Sequence, residues 1–202
     1  MNQEKLVKLL QELEKSLKKS GNANIWDEYC PIVAKDNEYF VYITSQIDEP
    51  SMYNKLIYML NNANEYDNFI FIINSLGGML DSTFMIVDAI KTTKAKTICK
   101  LSGTVASAAT IIALSCNEVS TSKGLSFMIH NYSSAGIQGK GHEMKARQNF
   151  IDRELNKSFR DYYLGFLTED EIVDIIDGKD IWLNNEEVDE RWESKQKLVL
   201  NT

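Results

Sequence analysis

The first part of the chain separates into an amphipathic stretch and a polar one. Leucines recur every three or four residues between positions 4 and 19, with lysine and glutamate between them. This period predicts an amphipathic helix, which ends near Ser20 and is followed by a solvated segment. The apolar and aromatic run at 39–43 then predicts a strand. We therefore expect an N-terminal helix with its connecting segment over residues 1–38, and one domain over residues 39–202.

Beyond residue 39, apolar runs alternate with amphipathic segments. Short runs rich in β-branched and aromatic residues predict strands, and longer stretches with a helical period predict helices. The predicted strands are 39–43, 68–74, 97–101 and 126–130, and the predicted helices are 50–64, 79–91, 105–115, 142–166 and 168–176. Alternation of apolar strands with helices favours an α/β layer architecture with a largely parallel sheet.

Composition narrows the functional classes. The 202 residues fit one domain with an additional element, and the net charge of −7 comes with no long run of lysine or arginine. Nucleic acid and anionic membranes are therefore not expected partners. No stretch reaches the roughly 18 apolar residues of a membrane span, and the N-terminus lacks the apolar core of a signal peptide.

The cysteines and histidines do not indicate a metal site. The chain has three cysteines, Cys30, Cys99 and Cys116, which is an odd number, and no two of them have CxxC spacing. The two histidines do not lie at metal-ligand spacing from them in the sequence. We expect no metal and no cofactor. The same pattern predicts a reduced, cytoplasmic setting, which would be the host cytoplasm if the chain is virally encoded.

Two small-residue turns carry candidate chemistry. Gly77 and Gly78 follow a buried strand and precede a helix, where backbone N–H groups can be directed at a developing negative charge. Ser107 lies in Gly103-Thr-Val-Ala-Ser107 between a strand and a helix, among small residues that leave space around a hydroxyl. The glycine pair is also typical of an ordinary strand-to-helix turn, and Ser107 also fits tight packing of a helix against the sheet, so neither pattern is sufficient alone.

A serine nucleophile needs a base, and the chain has only His130 and His142. His130 ends an apolar strand, whereas His142 lies among charged residues at a predicted helix start. His130 is therefore the better candidate, although a structural histidine fits its position as well. An acid must orient the imidazole, and spacing alone leaves Asp174, Asp177 and Asp180 open.

The ordered motifs resemble those of the ClpP proteolytic subunits. The matching segments are Asn74-Ser-Leu-Gly-Gly78, Gly103-Thr-Val-Ala-Ser107, Met128-Ile-His130, Gly136-Ile-Gln-Gly139 and Asp180-Ile-Trp-Leu-Asn184. The resemblance covers roughly residues 39–192. It implies a crotonase-like spiral of β-β-α units with a protruding handle helix, to which the predicted N-terminal helix is an addition.

The resemblance also implies the roles of individual residues. It selects Asp180 as the third member of a triad with Ser107 and His130. It implies an oxyanion hole from the backbone of Gly77, Gly78 and Ala108. Substrate peptide would bind as an added strand between two segments, which contain Met79 and Leu80 on one side and Asn131, Tyr132 and Ser133 on the other.

Assembly and partners are implied in the same way. The family forms two stacked heptameric rings that enclose the sites, and the predicted helix 142–166 is similar to the handle between rings. The expected substrate is peptide or unfolded protein, with an AAA+ unfoldase as a further partner. The chain departs from the family at Leu76, where a proline is usual, and at Ala108 and Ala109, where Met-Gly is common.

Three other interpretations stay open at this stage. A crotonase-like enzyme would use the same oxyanion hole on acyl-CoA, although no basic phosphate site stands out. A catalytically impaired ring subunit would serve as a scaffold. A Ser-Lys peptidase would need a lysine at the site, for which Lys123 and Lys140 are the candidates.

Overall fold

The computed structural model of the chain describes residues 29–133 and 139–200. The predicted helix at 4–19 and most of the segment 136–139 lie outside the described residues. Within these ranges, seven strands share one sheet. They are β1 Ile32–Lys35, β2 Glu38–Ile43, β3 Asn68–Ser75, β4 Lys96–Ala106, β5 Glu118–Thr121, β6 Ser126–Ile129 and β7 Ile181–Leu183.

Six α-helices accompany the sheet in the described part of the chain. They are α1 Asn54–Asn62, α2 Leu80–Thr92, α3 Ala108–Leu114, α4 Gly141–Tyr163, α5 Glu169–Ile176 and α6 Asn185–Leu200. A 3₁₀ turn, Pro50–Tyr53, leads directly into α1. Together they account for the predicted segment 50–64.

The sheet is mostly parallel, as the sequence predicts. Its order is β1-β2-β3-β4-β6-β7, and β5 pairs with the first half of β4. The pairs among β2, β3 and β4, and those of β4 with β5 and β6, are parallel. Among the described strands, only the outer pairs, β1 with β2 and β6 with β7, are antiparallel. The α/β fold class is therefore confirmed.

The core is centred on β3, whose side chains are buried on both faces. Phe69, Phe71 and Ile73 are almost fully inaccessible, and Leu56 of α1 and Ile86 of α2 join the same cluster. Complete burial of one such side chain stabilises the fold by about 1.5–3 kcal/mol. This rigid centre places the end of β3, where the glycine turn begins, in a fixed position.

β4 contains a bulge that directs its end toward the site. Ile73 pairs with Leu101, but the next partners are Ser75 and Val105, so β4 accommodates extra residues. The bulge includes Gly103, which has φ +63° and whose missing Cβ would lie 2.9 Å from Asn74 Oδ1. That oxygen accepts a hydrogen bond from Thr104 N–H at 3.1 Å. Asn74 thereby holds the bent end of β4.

The predicted helix 105–115 is wrong at its beginning. Val105 and Ala106 belong to β4, where they pair with Phe127 and Met128 of β6, and α3 begins only at Ala108. Small apolar residues fit a close-packed strand end as well as a helix, so their pattern does not separate the two. The consequence is that Ser107 occupies the turn between strand and helix.

Several elements lie outside the predicted pattern. β1 pairs with β2 although it precedes residue 39, and β5, β7 and α6 were not predicted. The handle prediction, 142–166, corresponds to α4 at Gly141–Tyr163. None of the described helices combines the length and apolar character needed to cross a bilayer.

Candidate active site

Ser107 occupies a strained turn between β4 and α3. Its φ of +55° is a conformation that non-glycine residues adopt rarely. Its N–H donates to Met128 O of the neighbouring strand at 2.9 Å, and its carbonyl accepts from the Thr110 N–H at 2.9 Å and from the Thr110 hydroxyl at 2.6 Å. The backbone is thus fixed on both sides, and the half-buried side chain faces a cleft.

The glycine turn packs directly against this serine. Gly77 has φ +92°, and a Cβ there would lie 2.8 Å from Ser107 Cβ and 2.7 Å from Ala106 O. A Cβ on Gly78 would lie 2.0 Å from Ile47 O. Both glycines are therefore required by close backbone approach, one to the serine and the other to Ile47.

Ile47 supports the turn from the other side. Its N–H donates to Gly77 O at 2.9 Å, and its carbonyl accepts from Met79 N–H at 2.8 Å. The Met79 carbonyl accepts in turn from the Thr83 N–H at 3.1 Å and the Thr83 hydroxyl at 2.9 Å. Both backbone polar groups of Met79 are therefore occupied, and its side chain, 42% exposed, is the part open to a ligand.

The N–H groups of the turn differ in availability. Gly77 is buried, and its N–H donates to Ser75 Oγ at 3.1 Å, while that hydroxyl donates to Ser45 O at 2.6 Å. Among the described residues, the N–H groups of Gly78 and Ala108 have no acceptor. These two groups are therefore the available donors beside Ser107.

His130 directly follows β6 and is half-buried. It lines the same cleft as Ser107, so the structure brings these two predicted residues together. In the described part of the chain no hydrogen bond joins their side chains. His142, the rejected candidate, is 81% exposed at the start of α4.

Asp180 lies immediately before β7, and β7 is the strand that pairs with β6. The antiparallel register joins Phe127 to Leu183 and Ile129 to Ile181. The pairing ends there, and its continuation by one position would set Asp180 opposite His130. The carboxylate is exposed and does not bond the imidazole within the described structure. Asp174 instead pairs with Lys179 at 2.7 Å, on the surface.

Two spaces meet at Ser107 and His130. The outer one has a volume of about 440 Å³, and Thr44, Ser45, Gln46 and Asn74 contribute polar groups to its walls. The inner one, of about 70 Å³, has aromatic and aliphatic walls. The wall residues of the inner pocket that the sequence did not predict are one serine, Ser158, and six apolar or aromatic residues: Phe84, Ile111, Leu155, Phe159, Tyr162 and Tyr163.

The aromatic walls are held by specific contacts. Phe84 stacks on Tyr162 with ring centroids 5.8 Å apart, and Phe159 lies 4.4 Å from the ring of Tyr163. The Tyr163 hydroxyl is hydrogen-bonded to Thr110 Oγ1, and burial raises the pKa of this phenol above its ordinary value. The pocket is therefore apolar and uncharged at its base.

Leu80 and the segment after His130 complete the lining. Leu80, Asn131, Tyr132 and Ser133 all contribute to the inner pocket, as does Gly78. The resemblance predicts these lining residues, but the sequence gives no sign that Ile47, Asn74 and Ser75 support the glycine turn and the end of β4. Asn74 and Ser75 lie inside a quoted motif, whereas Ile47 lies in a short irregular segment without a periodic signal.

The described His, Cys, Asp and Glu side chains are dispersed. In residues 29–133 and 139–200, no group of three or more His, Cys, Asp or Glu side chains converges on one point. The chemistry that the described site offers is that of a hydroxyl, an imidazole and backbone N–H groups.

Comparisons with known proteins find a matching family and a similar fold. A family model described as Clp protease matches residues 27–190. Among solved structures, the chain is similar to a mutant of ClpP1 from Listeria monocytogenes, with a TM-score of 0.63 and 22% sequence identity over 77% of this chain and 88% of that chain. A comparison with curated proteins finds no match. The structural likeness shows a shared fold.

Proposed function

The chain belongs to the Clp protease family, and on that premise we propose that it is a serine endopeptidase acting on peptides or unfolded protein. Ser107 is the proposed nucleophile, His130 the general base and Asp180 the residue that orients the base. The observation that carries the proposal is that Ser107, His130 and Gly78 line one cleft, with the Gly78 N–H free of acceptors among the described residues.

In the proposed mechanism, Ser107 Oγ attacks the scissile carbonyl while His130 takes its proton. The tetrahedral intermediate places its oxyanion between the N–H groups of Gly78 and Ala108. His130 then returns the proton to the leaving amine, and water resolves the acyl-enzyme by the same steps. Preorganised donors of this kind contribute about a hundred- to a thousandfold each to turnover.

Gly77 has a different part in this proposal. Its N–H already serves Ser75 Oγ, so it does not reach an oxyanion. Its contribution is the absence of a side chain, because a Cβ there would collide with Ser107. The oxyanion hole we propose therefore consists of one glycine and Ala108, not of both glycines.

Asp180 is proposed as the third member because of the strand register. The β6–β7 pairing, continued by one position, sets it opposite His130. Catalytic hydrogen bonds are often long in the absence of substrate and shorten in the complex. We propose that the Asp180 carboxylate closes onto the imidazole when substrate is bound.

The proposed substrate is an extended chain. It would lie between Gly78 and Leu80 on one side and Asn131 to Ser133 on the other, and pair through backbone groups. Because both polar backbone groups of Met79 are occupied, this residue would contribute through its side chain. The apolar inner pocket favours a hydrophobic residue next to the scissile bond.

Self-association into heptameric rings is part of the proposal. Members of the family form oligomeric rings, and enclosure would supply spatial selectivity for a site that recognises backbone. α4 is the proposed handle between two rings, and an AAA+ unfoldase is a candidate partner.

Hydrolysis of a fluorogenic peptide with a hydrophobic residue before the cleaved bond tests the mechanism. Ser107→Ala and His130→Ala should each lower kcat by a factor on the order of 10³ or more, with folding unchanged, since nucleophile and base act as one unit. Lys123→Ala is the control and should retain activity. Survival of activity in His130→Ala would refute the proposed base and favour a Ser-Lys mechanism.

A catalytically impaired ring subunit is the second candidate. It is favoured by the exposed position of Asp180, whose carboxylate does not bond His130 in the described structure. Asp180→Asn separates the two proposals. An active wild-type chain that loses most of its turnover in this variant supports the triad, whereas an assembled wild type without hydrolysis supports the scaffold.

A further inference from the structure

The segment that follows His130 is anchored at two points. The first anchor is Asn131, whose Nδ2 donates to Ile176 O at the end of α5 at 3.0 Å. The Asn131 side-chain oxygen also accepts from Tyr132 N–H at 2.8 Å. This anchor fixes the segment beside the loop that leads to Asp180.

The second anchor is the phenol of Tyr132. Its hydroxyl donates to Asp152 Oδ1 and accepts from Gln148 Nε2 at 2.6 Å. Gln148 Nε2 also lies 2.8 Å from Asp152 Oδ1, which closes the cluster. Gln148 and Asp152 are four residues apart on α4 and therefore share one face of the helix.

Tyr132 keeps its donor proton across the neutral pH range. The hydrogen bond to Asp152 is the largest cause that raises the pKa of this phenol above its ordinary value, and burial is the next. Both hydrogen-bonding functions of the hydroxyl are thus satisfied, and such fully connected networks hold their members in one arrangement. The ring of Tyr132 meanwhile forms part of the inner pocket beside His130.

We propose that Tyr132, held by Asp152 and Gln148 of α4, is a positioning residue that fixes the substrate-binding edge after His130. The inference rests on the proposed peptidase function and adds to it a residue that acts on peptide binding. Without the phenol anchor, Asn131 alone would hold the segment, and the part from Tyr132 to Ser133 would have to be ordered by the incoming peptide. The peptide would then bind more weakly, because ordering that segment consumes part of its binding energy.

A purely structural role is a weaker explanation of the cluster. Tyr132, Gln148 and Asp152 are all only half-buried, and none is part of the central hydrophobic cluster. Loss of one hydrogen bond at such a site changes global stability little. The three hydrogen bonds instead fix the distance between α4 and the segment after His130, where the peptide would bind.

Peptide binding tests the inference without depending on turnover. We would measure the Kd of a fluorescently labelled peptide by anisotropy in a Ser107→Ala background. Tyr132→Phe should raise Kd about fivefold to tenfold, which is the effect of losing one hydrogen bond of ordinary strength. Asp152→Ala should do the same, and Asp152→Asn, which keeps an oxygen acceptor, should recover part of the loss.

Two further measurements separate positioning from general destabilisation. Tyr66→Phe removes the hydroxyl of a tyrosine that is 72% exposed, and it should leave Kd unchanged. The double variant Tyr132→Phe/Asp152→Ala should bind no more weakly than the poorer single variant, since both remove one interaction. With Ser107 intact, the rate of labelling by a small fluorophosphonate should change less than twofold in Tyr132→Phe.

The inference is overturned if Tyr132→Phe and Asp152→Ala leave the peptide Kd unchanged, or if their effects add in the double variant. An equal loss of fluorophosphonate labelling would also overturn it, because Tyr132 would then act on the nucleophile. Failure of the proposed function has a different signature: wild-type protein binds peptide but neither hydrolyses it nor reacts at Ser107.

Discussion

Gly78 packs its α-carbon against the backbone of Ile47, and no side chain fits between them. A Cβ at this position would lie 2.0 Å from Ile47 O, a distance at which the backbone itself must move. The same residue carries an N–H beside Ser107 that finds no acceptor in the described part of the chain. Gly78 is therefore needed both for the close approach to Ile47 and for the N–H that faces the proposed oxyanion.

Gly78→Ala should accordingly lose activity for a geometric reason. The displaced turn would move an oxyanion donor, so kcat should fall by about a hundredfold or more. The strained backbone should lower the free energy of unfolding by about 1–3 kcal/mol. Peptide hydrolysis and urea denaturation measure the two effects.

Gly141→Ala is the matched control, because a Cβ at the start of α4 meets no atom within 4 Å. It should leave kcat unchanged and slightly stabilise the helix. Full activity in Gly78→Ala would contradict the assignment of this turn to the oxyanion hole.

At the level of elements, α6 is joined to α5 by a paired charge. The two terminal guanidinium nitrogens of Arg191, Nη1 and Nη2, donate to the Glu171 carboxylate at 2.9 and 2.8 Å. This pairing is the main cause that lowers the pKa of Glu171 from 4.5 to about 2. Glu171 also completes the capping box of α5 with Thr168. The pair therefore stabilises the helix that precedes the Asp180 loop.

Stability should depend on pH through this pair. A carboxylate whose pKa is lower in the folded state stabilises the fold above its ordinary pKa, and the contribution is lost as pH falls toward about 2. At neutral pH, Glu171→Gln should reduce the free energy of unfolding by about 1–2 kcal/mol. Urea denaturation should show a smaller difference between wild type and variant at pH 3 than at pH 7.

Glu193→Gln, on the exposed face of α6, controls for the loss of a charge. Its carboxylate lies 3.9 Å from Lys197 Nζ and is 73% exposed, so its removal should have little effect at either pH. A destabilisation by Glu171→Gln that is the same at pH 3 and pH 7 would contradict the proposed contribution of the ionised pair.

The elements also show what the sequence could and could not predict. β3 and α2 have strong periodic patterns and appear where expected, whereas β7 has three residues, too few for a period. α6 has Val188 as a fully buried residue within a mostly charged sequence, so its amphipathic signal is weak. Local chemistry makes Ser107 and His130 candidates, and the structure places both on one cleft, but the supports at Ile47 and Asp152 depend on tertiary contacts that no local pattern encodes.

At the scale of the whole molecule, the sheet explains why distant residues meet. The ends of β3, β4 and β6 bring together the glycine turn, Ser107 and His130, which lie at positions 77–78, 107 and 130 of the chain. Parallel strands place their carboxyl ends at one edge, and open α/β sheets build their sites there. Enclosure of this edge in a ring would complete the proposed peptidase.

The most direct measurement is mass-spectrometric mapping of the assembled protein after reaction with a fluorophosphonate. Two stacked heptamers of the 23.1 kDa chain would form a closed particle of about 320 kDa, which mass photometry can identify before labelling. The account predicts a single phosphonyl adduct per chain on Ser107, absent from Ser107→Ala. A folded, assembled particle that carries no adduct at Ser107 would contradict it.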